Sequence, residues 1–401
     1  MRYIYLSGAM PEKVCDFLGA SVAGNKFSLN MAKAIDEETK GALDFFSFAQ
    51  FDNGLLDRLC QGEIWDGKKI YHVSKGKKFL LSDIIQAKKM YKAIKAYVKQ
   101  YKNEQIVILL ENTPTWIAEV CVRLSRSRRI SCYSIMIDTP FTNNFSAKGL
   151  IGAINYRVFK RGFKLLKKFT GLITFTKDAL GSLNLDIPCL EFAIGCNKSN
   201  LPRLDFVPEL QENARRKVAY TGTFIYYNGI KELLEAFVLL GEKFELHMYG
   251  YGPLESLVKA YAEKESNIFF HGRFSPHETQ NILREYDLLV NPRILDPKIE
   301  NFTFPSKIID YIIAGKNIVS SRFKTLPKEY NDFLYLIEEV NSKQLSKAIE
   351  AVFMDSREIR AEKICKGIAY LRNHQTYDVI ADKILKFSTD NSVNSNNEGQ
   401  Q

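Results

Sequence analysis

At 401 residues the chain is too long for one ordinary core and fits two domains of about 180 residues each. Its seven cysteines, Cys15, Cys60, Cys121, Cys132, Cys189, Cys196 and Cys365, are odd in number, scattered and without a C-x-x-C pair, so neither a disulfide framework nor a zinc site is expected and a reducing compartment is. The net charge of +10 asks for an anionic partner, while the start MRYIYLSGAM is too interrupted for a secretory signal and no apolar run approaches the ~18 residues of a spanning helix.

The N-terminal half alternates short apolar strands with helices. Residues 2–6 read as a strand, followed by Gly8-Ala9 and by Gly24-Asn25-Lys26-Phe27 ahead of a helical run at 29–35. Residues 88–102 form an amphipathic pattern, with Lys88, Lys89, Lys92, Lys95, Lys99 and Lys102 over Met90, Tyr91, Ile94, Val98 and Tyr101. Residues 105–110 read as a buried strand, and 130–137 as another ending in Asp138-Thr139-Pro140. No acidic residue lies between Thr139 and Lys177, and there Arg157, Lys160, Arg161, Lys164, Lys167 and Lys168 share one helical face opposite Val158, Leu165, Leu166 and Phe169. Strands at 171–175 and 189–194 complete this domain, expected over 1–200. Asp138 is either a strand-end cap or a functional carboxylate.

Residues 201–216 are polar and read as a linker, and a second set of strand–turn–helix units follows over 217–356. Val218 to Tyr220 is an apolar run, Gly222 opens a turn, and Ile230, Leu233, Leu234 and Phe237 recur at helical spacing. Tyr249-Gly250-Tyr251-Gly252-Pro253 punctuates the next crossover, where glycine lets backbone approach a ligand. In NPRILDPKIENFTFPSKIIDYIIAGKNIVSS, Pro305 presets a first helical turn, Ser306 can cap it, Ile308, Ile309, Ile312 and Ile313 form the apolar stripe, and Gly315 stops it. Free amides and the positive dipole end at Ser306 and Lys307 suit an anion such as a diphosphate. Repeated units of this kind imply parallel, doubly wound sheets with ligands outside the carboxyl ends of the strands. Residues 357–387 read as helices, and 388–401, rich in Asn, Ser and Gln, as a disordered tail.

The segments at 217–237, 244–257, 267–293 and 291–320 together resemble family 4 (group 1) retaining glycosyltransferases of the GT-B type, in particular the bacterial polysaccharide-assembly subset with a Pro-Ser-Lys and acidic-Tyr pattern, here Pro305-Ser306-Lys307 and Asp310-Tyr311. The resemblance implies an α/β fold of two Rossmann-like doubly wound domains facing a cleft, with the acceptor in the N-terminal domain and a nucleotide-sugar donor in the C-terminal one. It implies that the helices at 357–387 cross back to the N-terminal domain. Donor-binding residues would be Gly222, Thr223, Asn228, Gly250, Gly252, Arg273, Arg293, Ser306, Lys307 and Asp310, the last on the ribose. Thr223 and Asn228 stand where the family carries an Arg and a Lys, so the diphosphate charge falls to Lys307, Arg293 and Arg273. Phe302 stands where the family has a carboxylate touching the donor sugar, leaving Glu300 as the nearest candidate. In the N-terminal domain the AGNKF, DTP and TFT segments resemble acceptor loops, and Gly8, Asn25 and Lys26 are the acceptor-binding candidates there. No histidine lies between His72 and His247 for the family's usual catalytic loop, so Asp138 is the candidate there.

The reading is a glycosyltransferase moving a sugar from a nucleoside-diphosphate sugar to a lipid-linked or saccharide acceptor in cell-surface polysaccharide assembly, with retention. It would lie on the cytoplasmic face of the membrane, the six cations of residues 157–168 facing anionic headgroups. No cofactor beyond the co-substrate is expected, and no metal, because no Asp-x-Asp pair is visible. Nucleic acid is not an expected partner, since no recognised motif accompanies the charge. A catalytically silent scaffold partnering another transferase and a nucleotide-sugar epimerase are the alternatives.

Overall fold

The computed structural model describes residues 1–20, 22–75, 82–138, 150–203, 205–206, 215–275, 278–297 and 299–397. The chain divides into two compact units, one of Met1–Ala193 with Asn301–Thr303 and Tyr377–Gln401, the other of Ile194–Glu300 with Phe304–Thr376.

The first unit is built on β1 (Arg2–Ser7), β2 (Leu43–Ser47), β3 (Glu63–Trp65), β4 (Lys68–His72), β5 (Ile106–Glu111), β6 (Ile130–Ile135), β7 (Gly171–Thr174) and β8 (Cys189–Glu191). They lie in the order β3-β4-β2-β1-β5-β6-β7-β8, parallel except where β3 turns back on β4. β5 and β6 are buried along their whole length because helices cover both faces of the sheet. Ile4, Leu6, Ile108 and Leu110 share a core with residues of the helices Ser82–Gln100 and Thr115–Leu124 and with Leu166. Alternate residues face the other way, where the Tyr133 hydroxyl meets Ser388 and Ser392 of the helix Tyr377–Asn397.

The second unit carries β9 (Arg216–Thr221), β10 (Phe244–Tyr249), β11 (Ile268–Gly272), β12 (Leu288–Asn291), β13 (Asn317–Ser321) and β14 (Tyr335–Ile337), all parallel, in the order β11-β10-β9-β12-β13-β14. Each sheet therefore reverses its winding once, between β1 and β5 in the first unit and between β9 and β12 in the second. In open α/β sheets that switch point, at the carboxyl ends of the strands, is where a ligand crevice opens.

Several expectations need correction. LDFFS at Leu43–Ser47 and the hairpin of β3 and β4 are strands that the sequence reading passes over. Residues 388–397 are helical rather than disordered, because Ser388 and Ser392 are buried against Tyr133. The return to the first unit starts at Tyr377, not at 357. The helix Arg357–His374 stays in the second unit, with Gly367 packed closely on Phe333 and Ile312. Residues 194–203 also belong there, since Cys196 N donates to Gln375 O at 3.0 Å and Arg372 bonds the Pro202 carbonyl. Of the expected linker, 204 and 207–214 lie outside the described residues, and Arg216 already pairs in β9.

Candidate functional site

In the second unit the switch point is assembled by a short helix and two glycine turns. The helix is Lys307–Ile313, and Ser306 does not cap it: Ser306 is itself in helical geometry, its side chain makes no capping bond, and the first turn closes from Ile308 N to Pro305 O at 3.0 Å. Ile308, Ile309, Ile312 and Ile313 are buried as the spacing requires, and Gly315, at φ 69°, stops the helix. Tyr311 anchors the helix to both strands of the switch point. Its buried hydroxyl lies 3.2 Å from Thr221 Oγ1 on β9 and 3.4 Å from the Val290 carbonyl on β12.

Lys307 is the chemical centre of this arrangement. Its Nζ donates to the Tyr220 hydroxyl at 2.9 Å and sits 4.4 Å from that ring's centroid. Tyr220 in turn donates to the Thr223 carbonyl at 3.1 Å, and Asn228 Nδ2 donates to the same carbonyl at 2.7 Å. Lys307 lies directly across Gly222, where a Cβ would fall 2.0 Å from its Nζ and push the ammonium aside, and the φ of 141° there favours glycine. Gly250 is required for a similar reason, since a Cβ there would meet the Gly222 carbonyl oxygen at 1.8 Å. Burial first, and the nearby Arg293 guanidinium second, push the Lys307 ammonium down to about 7. Two cations held close together make a place where an added anion is favourable.

The other expected donor residues fall less centrally. Thr223 is exposed, and its carbonyl rather than its hydroxyl organises the turn. Arg273 stacks over Tyr251 at 3.8 Å, beyond the end of β11, with Gly252 in the adjoining turn. Ser306 and Asp310 are exposed on the Lys307 helix, and the Asp310 carbonyl accepts from Gln280 Nε2 at 3.1 Å. Glu300 is paired with Lys324 at 2.6 Å, and Phe302 is 2% exposed in the apolar core of the first unit.

In the first unit, the switch point between β1 and β5 opens into a cavity of about 750 Å³. Gly8 and Met10 after β1, Asn112 and Thr113 after β5, and Trp116 and Asp138 are among its walls. Asn112 and Thr113 both take left-handed backbone, at φ 52° and 43°. For a β-branched threonine that is strained, and strain of this kind gathers at functional sites. The Asn112 side-chain carbonyl accepts from the amides of Ile137 and Asp138, each at 3.2 Å, and Thr113 Oγ1 bonds Ser134 Oγ. Asn25 holds the opposite wall: its side-chain amide exchanges two 2.9 Å hydrogen bonds with the backbone of Met10. Lys26 is exposed on the helix Val22–Glu38 and does not line the cavity. Of the residues singled out from the sequence, Gly8 and Asp138 line this cavity, whereas Asn112, Thr113 and Trp116 on its walls, and Glu111 next to them, were not singled out. A carboxylate ending the apolar run IVILLE, followed by Asn-Thr-Pro, was the signal available.

Residues 204–368 match the family model described as glycosyl transferases group 1. Across nearly the whole chain the fold is similar to those of solved structures at low identity. The Anabaena protein Alr3699/HepE, in complex with UDP, is 12% identical with a TM-score of 0.66, covering 97% of this chain and 100% of that one. The lipopolysaccharide outer core galactosyltransferase WaaB, in its apo form, is 12% identical with a TM-score of 0.66, covering 99% and 100%. Sucrose-phosphate synthase from Thermosynechococcus elongatus is 15% identical with a TM-score of 0.67, covering 97% and 99%. These findings support a group 1 glycosyltransferase. The fold is that of two Rossmann-like domains, as in GT-B glycosyltransferases. A search of curated proteins finds no sequence match.

Lys307→Ala is expected to weaken donor binding or transition-state stabilisation by about 1.5–3 kcal/mol, the usual loss for a hydrogen bond to a charged group. Asp310→Ala should also weaken the donor if that carboxylate meets the ribose. Titration of UDP and of UDP-sugars into both variants measures the effect, and parent-like affinity in both would remove these residues from the site.

Proposed function

We propose that this protein transfers a sugar, with retention at the anomeric carbon, from a nucleoside-diphosphate sugar to a lipid-linked acceptor of cell-surface polysaccharide assembly, on the cytoplasmic face of the membrane. The observation that carries the donor half is the Lys307–Arg293 pair beneath Gly222 at the switch point of the second sheet. The similar HepE fold is in complex with UDP, with UDP and glucose, and with UDP-glucose, which supports a uridine nucleotide as the first donor to try.

In the reaction the bond from the sugar's anomeric carbon to the diphosphate oxygen breaks, and the diphosphate leaves with the electron pair. The acceptor oxygen bonds that carbon and gives up its proton. The protein's task is to orient both substrates and stabilise the departing charge. Lys307 and Arg293 supply that charge, so the reaction is proposed to need no divalent ion. The cavity of the first unit is proposed as the acceptor site, with Gly8, Asn25 and Asp138 on or behind its walls.

A silent scaffold is the second reading, favoured by one feature: Phe302 is buried and Glu300 is tied to Lys324, so neither offers a free carboxylate to the donor sugar. Thermal-shift and turnover assays with UDP-, GDP-, CMP- and dTDP-sugars separate the two. A saturating donor, at a hundred times its dissociation constant, adds about 2.7 kcal/mol of stability. The transferase reading expects stabilisation by one donor class and turnover that survives a chelator. Binding without turnover would favour the scaffold, and activity restored only by magnesium or manganese would overturn the metal-free mechanism.

The membrane assignment draws on one helical layer. The helices Ser82–Gln100, Thr115–Leu124 and Leu150–Leu166 pack in series, and Lys88, Lys89, Lys92, Lys95 and Lys99 on the first and Arg157, Lys160, Arg161 and Lys164 on the last are exposed, with Lys167 and Lys168 just beyond. No helix among the described residues is long and apolar enough to cross a membrane. Attachment through this layer should weaken with salt, because the Debye length falls from ~10 Å at 0.1 M to ~3 Å at 1 M. Sedimentation with anionic but not neutral vesicles, reversed by salt, is the expected result. Changing Arg161, Lys164 and Lys168 together to Glu should abolish it and leave nucleotide binding intact. If the triple variant sediments like the parent, these helices are ordinary solvated faces and the membrane reading drawn from them falls.

A further inference from the structure

Glu111 ends β5 and is 5% exposed, and the mechanism above makes no use of it. Its partners come from two other elements. Tyr5 and Ser7 of β1 reach Oε2 at 3.3 and 2.8 Å, and Ser28 of the helix Val22–Glu38 lies 2.8 Å from Oε1. All three are hydroxyls, and no lysine, arginine or histidine is among them. A buried carboxylate without a cation is costly, so such a group tends to keep its proton.

The hydrogen count points the same way. Ser7 Oγ accepts from Ala9 N at 3.0 Å and has its own proton for Glu111 Oε2. Ser28 Oγ, however, faces two acceptors, Glu111 Oε1 and the Gly24 carbonyl at 3.0 Å, with one proton to give. A proton on Glu111 Oε1 resolves this: Glu111 donates to Ser28, and Ser28 donates to Gly24. Every polar atom of the cluster is then satisfied.

The position of the cluster gives it a role. Ser7 leads directly into Gly8, Glu111 leads directly into the strained Asn112–Thr113 turn, and Ser28 sits one helical turn from Asn25, which clamps Met10. Both walls of the cavity therefore spring from residues joined by one carboxyl group. We propose that Glu111, as a neutral carboxylic acid, is a positioning residue that locks the ends of β1 and β5 and so holds the strained turn in the wall of the first unit's cavity. Its part in acceptor binding rests on the reading of that cavity as the acceptor site.

Burial raises Glu111 above its ordinary 4.5, with the three hydroxyls acting against that shift, and no charged group contributes. Tyr5, itself pushed up by burial and by Glu111, is the titratable group in contact, and Tyr377 bears on Tyr5 from the helix Tyr377–Asn397. A carboxyl raised in the folded state gives stability that is full below 4.5 and is lost as pH rises through its folded-state value.

The test uses the full chain with Trp65→Phe, leaving Trp116 as the one fluorophore of its kind in the cavity wall. Glu111→Gln keeps the shape and donates from its amide, and Glu111→Ala removes the lock. Glu111→Gln should melt at or above the parent at neutral pH, with the gap in its favour widening as pH rises, and should leave acrylamide quenching of Trp116 unchanged. Glu111→Ala should increase that quenching, while UDP affinity stays at the parental value in both. A Glu111→Gln variant that melts progressively below the parent as pH rises would mean that the carboxylate is the working form and overturn the proposal. So would unchanged Trp116 quenching in a folded Glu111→Ala. If the parent takes no acceptor at all, the acceptor reading falls without touching these outcomes.

Discussion

The second unit depends on a half-buried ammonium that meets no carboxylate among the described residues. Lys307 is held by a tyrosine hydroxyl, crossed by a glycine and faced by a second cation. Such an arrangement costs stability in the empty protein, since burial and like charge both disfavour the ammonium. The surrounding features make sense as supports for it. Tyr311 fixes the helix that carries Lys307 to both strands at the switch point, Tyr220 supplies the hydroxyl, and Asn228 with Tyr220 holds the Thr223 carbonyl that shapes the turn.

The first unit repeats the topology with different chemistry. At its switch point the group is a buried acid rather than a base, and the strained element is an Asn-Thr turn rather than a glycine turn. The same winding thus gives one end suited to an anion and one that opens as a roomy cavity walled by an indole, amides and a carboxylate. The side chains at the strand ends, not the fold, decide which chemistry each sheet presents.

Much of this was legible in the sequence because parallel strands buried on both faces write themselves as apolar runs, as in IVILLE and VAY, and glycines mark the turns beyond them. Gly222 and Gly250 were singled out for that reason, Lys307 by the helix start at Pro305, and Arg293 only by the family resemblance. What was not legible depends on distant partners. Asn228 looked like a phosphate donor, but one of its amide hydrogens is used on Thr223, a choice set by how the turn closes. Ser306 looked like a cap until the Pro305 turn placed it inside the helical geometry. The polar tail beyond 387 read as disordered because the group that ties it down is distant: Tyr133, more than 250 positions away, donates to the Ser388 carbonyl and meets the Ser392 hydroxyl. LDFFS was passed over because Asp44 interrupts it, and that carboxylate is answered by Arg2 and Tyr97.

In the proposed reaction the Lys307 ammonium receives the donor diphosphate. In the empty protein Lys307 sits at about 7, so above neutrality it is largely unprotonated, and a bound diphosphate must restore its proton. Calorimetric titration of UDP at pH 8, in buffers of different ionisation enthalpy, counts the protons taken up. Affinity should fall as pH rises above 7, with close to one proton absorbed per UDP at pH 8 and none in Lys307→Ala. Binding that is independent of pH across this range, or proton uptake that persists in Lys307→Ala, would contradict it.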